Sequence, residues 1–211
     1  MKRRSLLSAA ALAAPPLLGR GAEAQTPANS AAEVVGRVEA YFNTLTTLRA
    51  RFLQTAQGGG SAQGTAYIWR PSRMRFEYDP PEQTLLIAAD AQFFHWDGEL
   101  RQASVVPLSS TPLGVLLRSP LRLTGDVTVS NVERAGGLLR VTVHRTNNAG
   151  EGRIQLVLEE EPMQLRQWVV QDAQGRITRV TLTEQRVGER FDPFLFAFND
   201  PRFRERLEQQ R

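Results

Sequence analysis

Cysteine is absent from the 211-residue chain, and only two histidines are present. Without cysteine the chain can form no disulfide and no thiolate metal site. The missing thiol also argues against a lipid-modified cysteine of the kind that anchors some exported proteins to a membrane. His95 and His144 fall on distant predicted strands, and their spacing does not match a metal site.

Catalytic motifs are missing as well. No glycine-rich phosphate loop follows a predicted strand, and the three glycines at 58–60 are typical of a hairpin turn. No serine has the sequence context of a nucleophile elbow. His95 and Asp97 could be combined with a serine into hydrolytic machinery, but His95 lies in an aromatic segment beside a turn, which favours a structural role. The sequence therefore shows no catalytic constellation, and its histidines indicate no metal site.

Long apolar runs are also lacking, and the longest candidate, near the N-terminus, is too short and broken to cross a membrane. Its surroundings are those of a secretory signal peptide. A basic start (residues 2–4) precedes the apolar run (6–14), and Ala22-Glu23-Ala24 matches the small-x-small cleavage pattern. We expect residues 1–24 to be removed near Ala24 and residues 25–211 to form one exported domain. The paired arginines of the basic start also resemble a twin-arginine signal, so two export routes stay open.

The excess of positive charge becomes small once residues 1–24 are excluded. The whole chain has 26 basic and 22 acidic residues. Residues 1–24 hold four of the basic groups and one of the acidic groups, so the remainder has a net charge of +1. The whole-chain pI of about 10.3 therefore indicates no basic face for nucleic acid, and we expect no nucleic-acid partner.

Alternation of apolar and polar residues predicts strands in the central part of the chain. Residues 66–70 are rich in aromatic and β-branched side chains, and Pro71 then interrupts the pattern because proline cannot donate to a strand ladder. The next segment alternates strictly, which puts an apolar set and a solvated, charged set on opposite faces. These sets are Met74, Phe76 and Tyr78 on one face and Arg73, Arg75 and Glu77 on the other.

Two helices are predicted to cover the apolar face. Apolar residues recur at helical spacing from Val34 to Leu45, and Ser30 with Glu33 forms a capping box at the start. A second, short helix begins at Thr111-Pro112, with threonine as N-cap, and ends before Ser119-Pro120. A helix of about two turns is not stable alone, so we expect it to dock its leucines on an apolar surface.

The rest of the chain indicates further strands. Asp97-Gly98 favours a two-residue hairpin, and the alternation of Phe194, Phe196 and Phe198 is typical of a strand. The fold class is α+β, mostly β: a curved antiparallel sheet with helices over its concave face. If the helices pack tightly on the sheet, the result is an ordinary α+β domain with a filled core. If they pack loosely, the fold encloses a cavity for an apolar ligand. Strands are predicted at 48–57, 85–89, 93–96, 100–106, 127–132, 138–144, 154–158, 165–171 and 177–185.

Arg70 shares its parity with Ala66 and Ile68 and therefore with the inward face of its strand. An inward guanidinium must satisfy its donors, and the carbonyl end of the short helix could accept them. The other interpretation is an arginine at the strand end whose side chain reaches water.

Several segments in a fixed order resemble the LolA family over about residues 30–200. They are Phe52-Leu53-Gln54, Gly64, Trp69-Arg70-Pro71, Met74-Arg75-Phe76-Glu77-Tyr78, Pro107-Leu108 and Thr111-Pro112-Leu113 through Leu117. The resemblance implies an incomplete β-barrel with a helical lid over a hydrophobic cavity that receives the acyl chains of lipoproteins. It also implies a periplasmic location, no catalysis and no cofactor, and we expect a monomer.

Members of that family take lipoproteins from an inner-membrane ABC-type release complex. They deliver them to an outer-membrane receptor or to the outer membrane itself. The alternative is a regulatory module on the same scaffold that senses envelope lipids or lipoproteins.

The resemblance assigns roles to particular residues. Arg70 corresponds to an arginine that ties the lid helices over the barrel. Where the family commonly has an Asp-Gly turn, this chain has Asp90-Ala91, which must avoid a positive φ or be strained. The tail after Pro201 is short and polar, so we expect no terminal extension of the kind some members have. The predicted lipid-binding cavity is lined by Phe52, Ile68, Met74, Phe76, Ile87, Leu113, Leu116 and Leu117.

Overall fold

The computed structural model describes residues 30–198, so the predicted signal peptide lies outside the described residues. Among them, no helix combines the length and the apolar character that crossing a membrane would need. The helices are α1 (Ala31–Thr44) and α2 (Leu113–Leu116), with 3-10 turns at Leu108–Ser110, Ala149–Glu151 and Pro193–Phe196. The strands are β1 (Thr47–Ala56), β2 (Ser61–Trp69), β3 (Arg73–Tyr78), β4 (Leu85–Ala89), β5 (Gln92–Asp97), β6 (Gln102–Pro107), β7 (Val127–Ala135), β8 (Leu138–Arg145), β9 (Gly152–Glu160), β10 (Met163–Asp172) and β11 (Ile177–Val187).

All eleven strands form one sheet in the order β6-β5-β4-β3-β2-β1-β11-β10-β9-β8-β7. Each neighbouring pair is antiparallel, and β1 pairs with β11 to join the two meanders. Within residues 30–198 the outer strands β6 and β7 do not pair with each other, so the barrel is not closed. The predicted mostly-β fold with an incomplete antiparallel barrel is confirmed.

The sheet curves around the two helices. Ala88 on β4 and Val141 on β8 belong to the same buried cluster as Val38 of α1 and Leu116 of α2. Strands from both halves of the sheet can share one core with the helices only if the sheet bends towards them. We call α1 together with residues 108–123 the lid.

Helix α1 begins as its sequence predicts. The Ser30 hydroxyl accepts a hydrogen bond from the backbone N–H of Glu33 at 3.3 Å, which satisfies one of the free donors of the first turn. Val34, Val38 and Phe42 are buried on the face towards the sheet.

The second helix differs from its prediction at the N-cap. Thr111 does not cap α2, because its hydroxyl donates to the carbonyl of Leu108 at 2.9 Å. Pro112 is already in the helical region, with φ −59° and ψ −26°. The helix is a single turn, and the buried side chains of Val115 and Leu116 supply its tertiary packing.

One turn prediction and one strand prediction are wrong. The β5–β6 connection is a four-residue loop in which the Asp97 carboxylate accepts from the N–H groups of Glu99 and Leu100. The alternating phenylalanines near the C-terminus form a 3-10 turn and not a strand. Asp192 accepts from the N–H of Phe194 at 2.9 Å and Pro193 follows it, so local capping chemistry outweighs the alternation.

The outer face of β3 is solvated only in part, although its charges predict that all of it is: Arg73 is exposed and Arg75 is buried. Arg75 is only 2% exposed, because the C-terminal segment lies over it. Its Nη1 donates to the carbonyl of Leu195 at 2.9 Å and its Nε to Glu77 at 2.7 Å. Aromatic contacts between Trp69 and Phe196 extend the same outer layer.

Candidate functional site

Arg70 follows β2 at the turn into β3, and its guanidinium points into the lid. Nη1 donates to the carbonyl oxygen of Phe42 and, at 3.4 Å, to that of Leu45. Nη2 donates to the carbonyl of Arg118. One side chain therefore joins the end of α1 and the segment after α2 to the sheet, and it does not extend into water.

The environment of Arg70 makes these bonds costly to break. The residue is 6% exposed, and burial lowers the pKa of its guanidinium to about 10. The group therefore keeps its charge at neutral pH. The last carbonyls of a helix lack partners within the helix, and each hydrogen bond to a charged group contributes about 1.5–3 kcal/mol.

Further hydrogen bonds hold the two parts of the lid together. The side-chain amide of Asn43 donates to the carbonyl of Leu121 at 3.1 Å and accepts from its N–H at 2.7 Å. The carboxylate of Glu39 accepts from the N–H of Leu123 at 2.5 Å. Residues 121–123 are thereby tied to α1.

A cleft of about 530 Å³ lies between the lid and the sheet. Its floor and walls are mainly apolar, and polar side chains surround its opening. The apolar residues are Ala62, Met74, Phe76, Leu86, Phe93, Leu113, Trp168, Val170 and Val180, and the polar residues are Gln54, Tyr78, Glu82, Thr84, His95, Arg176 and Thr178.

Three of the eight predicted cavity residues line this cleft: Met74, Phe76 and Leu113. Phe52, Ile68, Leu116 and Leu117 lie in the core beneath the lid and are each 2% exposed or less. The Phe52 ring packs on Phe76, with the ring centroids 4.7 Å apart. These four therefore adjoin the cleft but contribute no surface to it.

Ile87 does not line the cleft, contrary to its prediction. It pairs with Arg75 on one side and Phe94 on the other, which places it on the outer face of the sheet. Leu86 takes the inward position, opposite Phe76. Every residue of β4 is apolar, so alternation could not show which parity faces inward.

The polar groups at the opening are largely satisfied by their neighbours. The Tyr78 hydroxyl donates to Gln54 at 2.8 Å, and burial together with the charge of Glu82 raises the pKa of Tyr78. The Glu82 carboxylate accepts from the N–H and hydroxyl of Thr84. Within residues 30–198 no group of three acidic or histidine side chains is placed to hold a metal ion. The arrangement suits binding of an apolar group that has a polar end.

Comparison with known proteins gives the family. Residues 43–199 match the model of the outer membrane lipoprotein carrier protein LolA. The chain belongs to the LolA family. The resemblance seen in the sequence is thereby confirmed, and the assignment supports a role as a lipoprotein carrier.

Individual LolA relatives are similar over most of their length. An outer-membrane lipoprotein carrier protein of Chromobacterium violaceum is 29% identical over 210 residues, covering 93% of each chain. One from Methylococcus capsulatus is 26% identical over 175 residues, covering 78% of this chain and 83% of the relative. A solved LolA superfamily protein from Nitrosomonas europaea is 8% identical with a TM-score of 0.46, covering 80% of this chain and 98% of that one.

Proposed function

We propose that this protein is a periplasmic carrier that binds the acyl chains of lipoproteins released from the inner membrane and delivers them to the outer membrane. The observation that carries the proposal is the LolA match over residues 43–199 on a domain whose lid covers a cleft with an apolar floor. The carrier works by binding and release, without catalysis or a cofactor.

The physical need for such a carrier follows from the cost of exposing acyl chains. Each methylene removed from water contributes about 0.8 kcal/mol, so a lipoprotein cannot cross an aqueous space unshielded. The same gain makes release difficult unless the binding surface can change. A lid held by a few polar bonds provides that change.

Arg70 is the lock of the lid in this proposal. When its bonds to Phe42 and Arg118 break, the lid lifts from the sheet. Ile68 and Leu117, which are packed in the closed structure, then become part of the enlarged cavity. Phe52 and Leu116 lie in the same buried cluster and are uncovered with them.

The proposed partners follow from the two steps of transport. Lipoproteins come from an inner-membrane ABC-type release complex, and the outer membrane or a receptor on it takes them over. Export by a signal peptide cleaved near Ala24 would place the chain between these membranes.

Reconstitution tests this function. The mature protein is mixed with inner membranes, the release complex and ATP, and we expect lipoproteins in the soluble fraction bound to it. Outer membranes are then added, and we expect the lipoproteins to move to them. Binding without delivery would favour the sensing alternative, and no soluble lipoprotein in the presence of ATP would refute carriage.

Variants locate the two steps in the structure. Arg70→Leu should fold normally but deliver cargo more slowly, because an unlocked lid returns to the closed state less readily. Phe76→Glu should weaken cargo binding by placing a charge on the apolar floor. Because Phe76 is 3% exposed, the less buried Leu86→Glu serves as a second cleft variant. Leu53→Glu, on the outer face and 47% exposed, is the matched control.

A further inference from the structure

The closed structure leaves only part of the space beneath the lid empty. Val38 and Phe42 of α1 are fully buried, and Leu116 and Leu117 are each 1% exposed. These side chains fill the region under the lid helices. The cleft, which reaches the lid at Leu113, is therefore the empty part of this space, and it exists before the lid moves.

The opening of the cleft and Arg70 lie at opposite ends of the strands. Glu82 and Thr84 belong to the β3–β4 turn and Arg176 to the β10–β11 turn, and all three line the cleft. Antiparallel pairing places these two turns at the same end of the strands. Arg70 lies in the β2–β3 turn, at the opposite end of the strands. A ligand can therefore enter the cleft without contacting Arg70.

The volume of the cleft limits what it can hold. A methylene group occupies about as much space as a water molecule in the liquid, roughly 30 Å³. The cleft of about 530 Å³ is therefore large enough for one long acyl chain. The polar groups at the opening, including His95 and Gln54, can solvate the end at which that chain joins the rest of its molecule.

We propose that the cleft is a preformed site for a single acyl chain, which docks with its polar end at the β3–β4 and β10–β11 turns before the lid opens. The remaining chains of a lipoprotein enter only after the bonds of Arg70 break. This staged loading rests on the proposed carrier function and adds an order of events to it.

Two probes separate the stages. One is a fluorescent fatty acid with a single chain, and the other is a synthetic tripalmitoyl cysteine lipopeptide. We expect the wild-type protein to bind one fatty acid per chain. In Arg70→Leu the fatty acid should associate at the wild-type rate, whereas the lipopeptide should associate about tenfold faster, since opening breaks fewer bonds to a charged group.

A substitution that fills the cleft should weaken binding of the fatty acid, which Arg70→Leu leaves unchanged. Ala62 is partly buried on the cleft wall, and Ala62→Trp should weaken fatty-acid binding at least about tenfold by occupying the volume. Gln63→Trp, which points to the outer face of the same strand and is exposed, should bind like the wild type.

Different results would refute the proposed order of binding and the proposed carrier function. Uptake of more than one fatty acid by the closed wild type, or equal acceleration of both probes by Arg70→Leu, would refute a single-chain first site. Fatty-acid binding that Ala62→Trp leaves unchanged would refute it too. A wild type that binds the fatty acid but no lipopeptide would instead refute the carrier function and leave the cleft assignment standing.

Discussion

Arg75 and Leu195, 120 residues apart in sequence, are joined by a hydrogen bond from Nη1 to the carbonyl oxygen at 2.9 Å. Arg75 lies on the face of β3 that points away from the lid, yet it is 2% exposed. A buried guanidinium needs several acceptors, and Glu77 provides another at 2.7 Å. The C-terminal segment is therefore a structural layer of the outer face.

Replacing Arg75 should destabilise the fold strongly. Arg75→Ala removes the partner of the Leu195 carbonyl and of the Glu77 carboxylate, so we expect a loss of about 2–4 kcal/mol in the free energy of unfolding. Urea denaturation measures it. Arg73→Ala is the matched control, because Arg73 is exposed and stacks on Trp69 at 4.4 Å, a contact contributing about 0.5–1 kcal/mol. Equal losses in both variants would contradict the buried role of Arg75.

The periodic elements were predictable because each has a face that must be buried. The spacing of Val34, Val38 and Phe42 predicted α1, and Ser30 marked its start within one residue. All five strands after Gly125 were predicted near their observed positions, since turn residues separate them.

What covers the outer face was not predictable. Alternation assigns Arg75 to a face but does not show that residues 193–196 pack on that face. Ile87 was assigned to the cavity for the same reason: the sequence does not show the outer layer. Ile87 is buried on the outer face of the sheet and not under the lid. For the site, parity indicated an inward Arg70 as one of two interpretations, and the structure has this orientation. Its acceptors Phe42 and Arg118 come together only through docking of the lid.

Gly64 makes room for the aromatic cluster beside the cleft. It stands between Phe52 and Tyr78 in the sheet register, and an added Cβ would lie 2.7 Å from the Phe52 ring and 2.0 Å from the carbonyl oxygen of Glu77. Gly64→Ala should therefore cost about 1–3 kcal/mol by overpacking, which thermal or urea unfolding would show.

Gly36 provides the control for Gly64. It lies within α1, and an added Cβ would meet no atom within 4 Å. Gly36→Ala should raise stability by about 0.5–1 kcal/mol, because alanine is the better helix former. Destabilisation of similar size at both positions would show that the clash at Gly64 is not the cause.

The Asp90-Ala91 turn adopts the conformation that its sequence disfavours. Asp90 has φ 48° and Ala91 has φ 61°, and the left-handed region suits glycine better than alanine. Ala91→Gly should stabilise the protein by about 0.5–1 kcal/mol, since it relieves strain in a primed hairpin turn. Ala89→Gly, within β4, should destabilise it, and a loss of stability in both variants would contradict the strain at Ala91.

Glu160 ties the lid to the half of the sheet opposite Arg70. Its carboxylate accepts from Arg134 of β7 at 2.7 Å and from Arg37 of α1 at 2.8 Å. Hydrogen bonds from Arg134 and Arg37 lower the pKa of Glu160 in the folded protein. Since the folded-state pKa lies below the unfolded value, the carboxylate stabilises the fold above the unfolded pKa of about 4.3.

That contribution disappears as the pH falls through the lowered pKa of Glu160. Glu160→Gln should therefore reduce stability at neutral pH and flatten the loss of stability towards acid pH, measured by urea unfolding at several pH values. Some acid dependence should remain, because Arg51 also lowers the pKa of Asp79. Glu99→Gln, in the exposed β5–β6 loop, controls for the loss of one negative charge. An unchanged acid slope in Glu160→Gln would show that this carboxylate does not anchor the lid.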